Sequence, residues 1–152
     1  FIRPGLGAAG WGNRANYITL NVVPTSPTEM SLFMYGGGQY KLRLDGFISI
    51  HAGHEPGEFV TKPLQFTGRQ LELNYSTAGA GKIRVELQDG NGRPIPGYAL
   101  ADCDPIQGDA ISGIVTWKNK PDVQPLSGKP IRIRFVMNEA DIYSLKFQET
   151  TE

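Results

Sequence analysis

The chain has a single cysteine, Cys103, in 152 residues. One thiol makes no internal disulfide and no cysteine-based zinc site. The carboxylates of Asp102 and Asp104 flank it and oppose a thiolate, so Cys103 reads as a small buried filler rather than a nucleophile. Neither sign of charge is in excess, because 15 Lys+Arg balance 15 Asp+Glu. That excludes the basic footprint that nucleic acid requires and the acidic run of an interaction tail. No stretch approaches the ~18 consecutive apolar residues of a membrane span. Phe1 is not followed by the basic start and apolar run of a signal peptide. A chain that opens on Phe1 rather than Met reads as processed, or as a piece of something longer. No internal repeat is present, and no window carries a convincing helical period.

What the chain has is turns and alternation. Gly at 19 and Pro at 11 make about a fifth of it, which loads it with turns and leaves little room for helices. Between the turns, apolar and polar residues alternate strictly in Tyr40-Lys41-Leu42-Arg43-Leu44-Asp45, Gln70-Leu71-Glu72-Leu73-Asn74-Tyr75, Lys82-Ile83-Arg84-Val85-Glu86-Leu87 and Ile131-Arg132-Ile133-Arg134-Phe135. A period of two puts one set of side chains in a core and the other in water, as in antiparallel sheets. Weaker strand signals cover 29–35, 47–51, 58–60, 111–117 and 142–147. Asp89-Gly90-Asn91-Gly92 is the strongest turn, with others at Ala78-Gly79-Ala80-Gly81 and Ser127-Gly128-Lys129-Pro130. The pattern predicts an all-β fold, a two-sheet antiparallel β-sandwich of jelly-roll type. Its inward set includes Leu42, Leu44, Ile48, Ile50, Leu71, Leu73, Ile83, Val85, Leu87, Val115, Trp117, Ile133 and Phe135.

The organisation read from the pattern is an N-terminal arm over 1–38, the sandwich over 39–148 and a tail over 149–152. The arm holds one good strand, with Met30, Leu32 and Met34 on one face and Phe33 and Tyr35 on the other. A lone strand cannot fold by itself and, apolar on both faces, invites pairing. The expectation is therefore a homodimer or strand exchange through the arm, with Gly36-Gly37-Gly38 as hinge.

The chemistry-bearing residues fall into four groups. A Ser-His-Asp set can be composed from Ser49 or Ser144, His51 or His54, and an aspartate, although only geometry defines a triad. His51-Ala52-Gly53-His54 could share a metal across the turn that Gly53 permits, with Glu55 or Glu58 as third ligand; the plainer reading is a polar turn. Asp102, Asp104 and Asp109 form the richest oxygen cluster. Calcium is the ion such a cluster suits, while local turn capping is the simpler account. No other cofactor is indicated, and no phosphate cradle follows Gly79 and Gly81. Carbohydrate binding would need aromatic platforms beside planar polar groups. Trp11, Tyr17, Phe47, Phe59 and Tyr98 are the rings that could escape the core.

Several motifs occur together: Leu44-Asp45-Gly46-Phe47, His51-Ala52-Gly53, Thr61-Lys62-Pro63-Leu64, Pro94-Ile95-Pro96-Gly97-Tyr98, Asp102-Cys103-Asp104-Pro105-Ile106-Gln107-Gly108-Asp109, Gly128-Lys129-Pro130-Ile131-Arg132-Ile133-Arg134-Phe135 and Ala140-Asp141-Ile142-Tyr143-Ser144-Leu145. As a set they resemble the C-terminal β-sandwich behind a five-bladed β-propeller in bacterial proteins of glycoside hydrolase type. Arg14-Ala15-Asn16-Tyr17 and Glu29-Met30-Ser31-Leu32-Phe33 resemble the last stretch of that propeller, so residues 1–38 would be a blade remnant. The resemblance implies that most catalytic carboxylates lie on blades absent here. Glu29, with Arg14 and Tyr17 near it, would have faced the propeller funnel. A single carboxylate cannot perform paired acid/base glycoside cleavage. The expected function is a non-catalytic accessory module with carbohydrate or a neighbouring catalytic domain as partner. Trp11, Arg14, Tyr17, Glu29, Phe47 and Tyr98 are the candidate sugar contacts. The alternatives are a small hydrolase of esterase type and a purely structural interaction module. The resemblance alone implies a periplasmic or secreted location.

Overall fold

The computed structural model describes residues 19, 21–35 and 38–149. The protein is all-β, with one antiparallel sheet of three strands and one of five, neither closed into a barrel. This is the sandwich class that the alternation predicts. The chain divides into two compact units, residues 1–47 and 48–152.

The first unit carries β1 (Val23–Pro24), β2 (Glu29–Phe33) and β3 (Gln39–Arg43), in that spatial order. Here β2 is the central strand, not an orphan. Ser31 lies opposite Val23 on one side and Lys41 on the other. Met30 and Leu32 are buried, and the exposed unpaired strand assumed for dimerisation is not what is found. Gly36 and Gly37 of the expected hinge lie outside the described residues. The run from Tyr40 to Asp45, read as a strand, supplies most of β3, and its register sets Leu42 against Met30. The turn before β2 is closed by Ser26, whose Oγ accepts the backbone N–H of Thr28 and Glu29.

The second unit contains β4 (Ile50–Ala52), β5 (Gly57–Val60), β6 (Gln70–Asp89), β7 (Asp109–Ile114) and β8 (Ile131–Gln148). A short 3₁₀ turn, Gln124–Leu126, precedes β8. The order is β4-β8-β6-β7, with β5 also paired to β8. The frame is the long antiparallel pair β6 and β8, running from Gln70↔Gln148 to Asp89↔Ile131. These two strands are bent back on themselves. Val115 N–H donates to the Leu71 carbonyl, yet Trp117, two residues on, donates its Nε1–H to the Val85 carbonyl. Fourteen residues of straight strand separate Leu71 from Val85 by about 46 Å, so only a folded strand brings both within reach of one short segment.

The bend coincides with a break in register between Thr77 and Lys82, at the Ala78-Gly79-Ala80-Gly81 run read as a turn. A Cβ on Gly81 would overlap the Glu139 carbonyl oxygen across the ladder. Glycine is required there because the two backbones approach too closely for any side chain.

Both halves of the folded pair feed one core. Leu71, Leu73, Ile83, Val85, Leu87, Val115, Trp117, Ile133 and Phe135 are all buried. Of the rest of the expected inward set, Leu42 and Leu44 of the first unit are half-buried, while Ile48 is 79% exposed and Ile50 49% exposed. Conversely, Glu72 and Glu86 sit at the polar positions of their alternations, expected in water, but are buried. The alternation assigned them correctly to the other face. It carried no information that this face is covered too.

Candidate functional site

The β4–β8 edge gathers the serine, histidine and aspartate that the sequence allowed to be combined. Register places His51 directly opposite Asp141. Ser49 Oγ donates to Asp141 Oδ1 at 2.7 Å, and His51 Nδ1 lies 3.1 Å from the same oxygen. A nucleophilic triad needs the serine hydroxyl on the imidazole, with the carboxylate orienting the far side of the ring. Here hydroxyl and imidazole converge on one carboxylate oxygen, and the result ties the segment before β4 to β8. His54 stands apart from His51, with Nδ1 3.5 Å from Glu139 Oε1. Glu139 has φ 44 and donates its N–H to the Gly53 carbonyl. Among the described residues, no group of three or more His, Cys, Asp or Glu is placed to hold a metal ion.

The aspartates of the 102–109 segment serve a tight turn. Asp104 Oδ2 accepts the Thr116 hydroxyl at 2.6 Å and the Asn119 N–H at 2.8 Å. These two bonds hold its carboxyl below the usual range, Thr116 foremost. Asp102 pairs with Lys118 Nζ at 2.5 Å, and its carbonyl accepts the Lys118 N–H. Lys118 and Asn119 have φ 52 and 61, the consecutive left-handed pair of a type I′ turn, which asparagine accepts and lysine does not favour. The acidic side chains hold that conformation from outside. Asp109 lies elsewhere, on β7 opposite Ser76.

The turn fixes Trp117, which is 2% exposed. Together with Cys103 it completes the open edge of β6. At Ile83 that edge exchanges both backbone bonds with Ile106, and at Leu87 it bonds to Tyr98 and Ile95. Between them, Val85 N–H donates to Cys103 Sγ at 3.2 Å, and the Val85 carbonyl accepts Trp117 Nε1–H at 2.9 Å. Two side chains thus replace a missing strand residue, which satisfies buried backbone groups that would otherwise be costly. Cys103 is buried as expected, and burial, with the Asp104 charge, pushes its thiol up against the opposing Val85 N–H and Arg84. Sequence reading missed the bond it makes, because nothing in the local pattern indicates which backbone a thiol will meet.

Glu86 holds the covering loop on the other face. Its Oε1 accepts Gln88 Nε2 at 2.8 Å and faces Arg134 Nη1 at 3.5 Å; Oε2 accepts the Leu100 N–H at 3.2 Å. Arg84 Nη1 bonds the Leu100 carbonyl, and Arg134 reaches on to Glu58 of β5 at 2.6 Å.

The aromatic candidates described in the second unit turn to its core. Tyr98 packs on the core, edge-on to Trp117 at 5.3 Å, with its hydroxyl given to the Asp122 carbonyl. Phe59 stacks on Phe135 at 4.7 Å. Phe47, 44% exposed, and Glu29, paired with Lys41 at 3.2 Å, belong to the first unit. Trp11, Arg14 and Tyr17 lie outside the described residues. Comparison with protein-family models, with curated proteins and with solved structures finds nothing that matches the chain.

Proposed function

We propose that the chain is a non-catalytic accessory β-sandwich module, similar to those attached to glycoside hydrolase-like proteins, and that it braces a neighbouring domain. The observation that carries this reading is the shared acceptor at Asp141. Ser49 Oγ and His51 Nδ1 both bond one carboxylate oxygen, an arrangement that ties strands and sets the hydroxyl on the carboxylate rather than on the imidazole. The motif residues Cys103, Asp104 and Tyr98 support it in the same way, since each is occupied in holding the sandwich.

The test is turnover of p-nitrophenyl esters and glycosides by the purified chain, with Ser49→Ala and His51→Ala beside it. The expected rate matches buffer for all three. Turnover abolished by both substitutions would replace this reading with the hydrolase. A calorimetric titration with an oligosaccharide panel accompanies it, and saturable heat with one sugar would extend the role from bracing to glycan capture.

A further inference from the structure

We propose that the second unit holds a binding slot for a small, neutral, apolar molecule: one aromatic ring, or a hydrocarbon group of similar bulk. A half-open cavity of about 260 Å³ lies at the β4–β8 edge, walled mainly by Ile48, Ile50, Phe59, Ile142 and Leu145, with the hydroxyl-bearing Ser49, Tyr143 and Ser144 also in its lining. It stands independently of the accessory reading, because it uses neither the Asp141 tie as chemistry nor any sugar contact.

Size and charge select the occupant. An apolar cavity of ~150 Å³ holds a benzene, whereas sites for drug-sized ligands begin near ~300 Å³. One substituted ring fits about 260 Å³. No charged side chain lines the cavity, so a charged occupant would lose its hydration with nothing to replace it.

The slot is also preformed. Ser49 and His51, on either side of Ile50, are both anchored to Asp141, which keeps the mouth from closing over the cavity. The Phe59 wall is stacked on Phe135, with ring planes 15° apart. Ile48 and Ile50 stand at the mouth, 79% and 49% exposed, and an apolar occupant covers surface they otherwise present to water. An occupant that need not reorganise its site binds without an ordering cost.

The experiment is a methyl NMR titration of the isoleucine-labelled chain with toluene and, separately, with indole. The expected result is a saturable one-to-one shift of the Ile48, Ile50 and Ile142 methyls, with Kd of about 1 mM or tighter. Ile50→Glu should weaken binding at least tenfold while the far-UV circular dichroism is unchanged. Ile48→Glu, at a more exposed position, serves if the first variant fails to fold. Absence of a saturable shift overturns the proposal, as does an affinity that both variants leave intact. So does a concentration-dependent dimer, seen by light scattering and abolished by Ile50→Glu, since a second copy would then be the occupant. None of these outcomes bears on the esterase and glycosidase assays.

Discussion

Gly113 on β7 lies against the ring of Tyr75 on β6, and that contact gives the sharpest test of the packing. An added Cβ at Gly113 would overlap Tyr75 Cε1 and crowd Cζ and the hydroxyl. Tyr75 is pinned: its hydroxyl donates to the Gln107 carbonyl at 3.2 Å and its ring belongs to the core. Gly113→Ala therefore costs about 1–3 kcal/mol through overpacking, partly offset by the ~0.5–1 kcal/mol that alanine gains over glycine within a strand. A net loss of roughly 1–2 kcal/mol is expected. Tyr75→Leu removes the ring edge and the hydroxyl bond and costs on the order of 2–4 kcal/mol by itself. In the Tyr75→Leu background the obstruction is gone, and Gly113→Ala should be neutral or stabilising by up to ~1 kcal/mol. Urea unfolding followed by circular dichroism for the parent, the two single variants and the double variant yields a coupling of about 2 kcal/mol. Additivity within ~0.5 kcal/mol would refute the argument, because it would mean that ring and glycine do not meet.

Further expectations concern the carboxylates of two turns and the buried thiol. Asp104 is held below the ordinary carboxylate range by Thr116 and Asn119, so its contribution is present above the unfolded value near ~3.9 and is lost as pH falls through the folded one. Asp104→Asn should thus flatten the acid limb of stability against pH, measured by thermal unfolding; an acid limb as steep as that of the parent protein would contradict the assignment. Asp89, held low chiefly by the N–H of Arg93, contributes with the same sign, so the double Asn variant should be flatter still. Cys103, buried with a raised thiol pKa, should react with an aromatic disulfide reagent on the order of a hundredfold more slowly in the folded chain than in urea. Equal rates would place the thiol at the surface.

Much of the second unit was legible from alternation alone. Leu71, Leu73, Ile83, Val85, Leu87, Ile133 and Phe135 were expected inward and are buried, since a strand's period of two depends only on its own residues. The failures share one cause. Ile48 and Ile50 continue the apolar phase, but an edge strand three residues long has too little covering it. Glu72 and Glu86 follow the polar phase but lie under other parts of the chain. The 40–45 run was legible as a strand but its pairing with β2 was not, because a pattern names a face and not the neighbour it pairs with.

The candidate site divides along the same line. Residue types were visible in advance: Ser49, His51, Cys103 and the aspartates around it, and the exposed Phe47. Their relations were not. Asp141 is 90 residues from His51 in the chain, and only the β4–β8 register sets one opposite the other. Local periodicity by itself determined that this chain builds pleated layers with an apolar interior. The tertiary structure decided where β6 folds back, which side chains complete the Val85 edge and where a cavity is left, because those depend on contacts between residues that the chain keeps far apart until it folds.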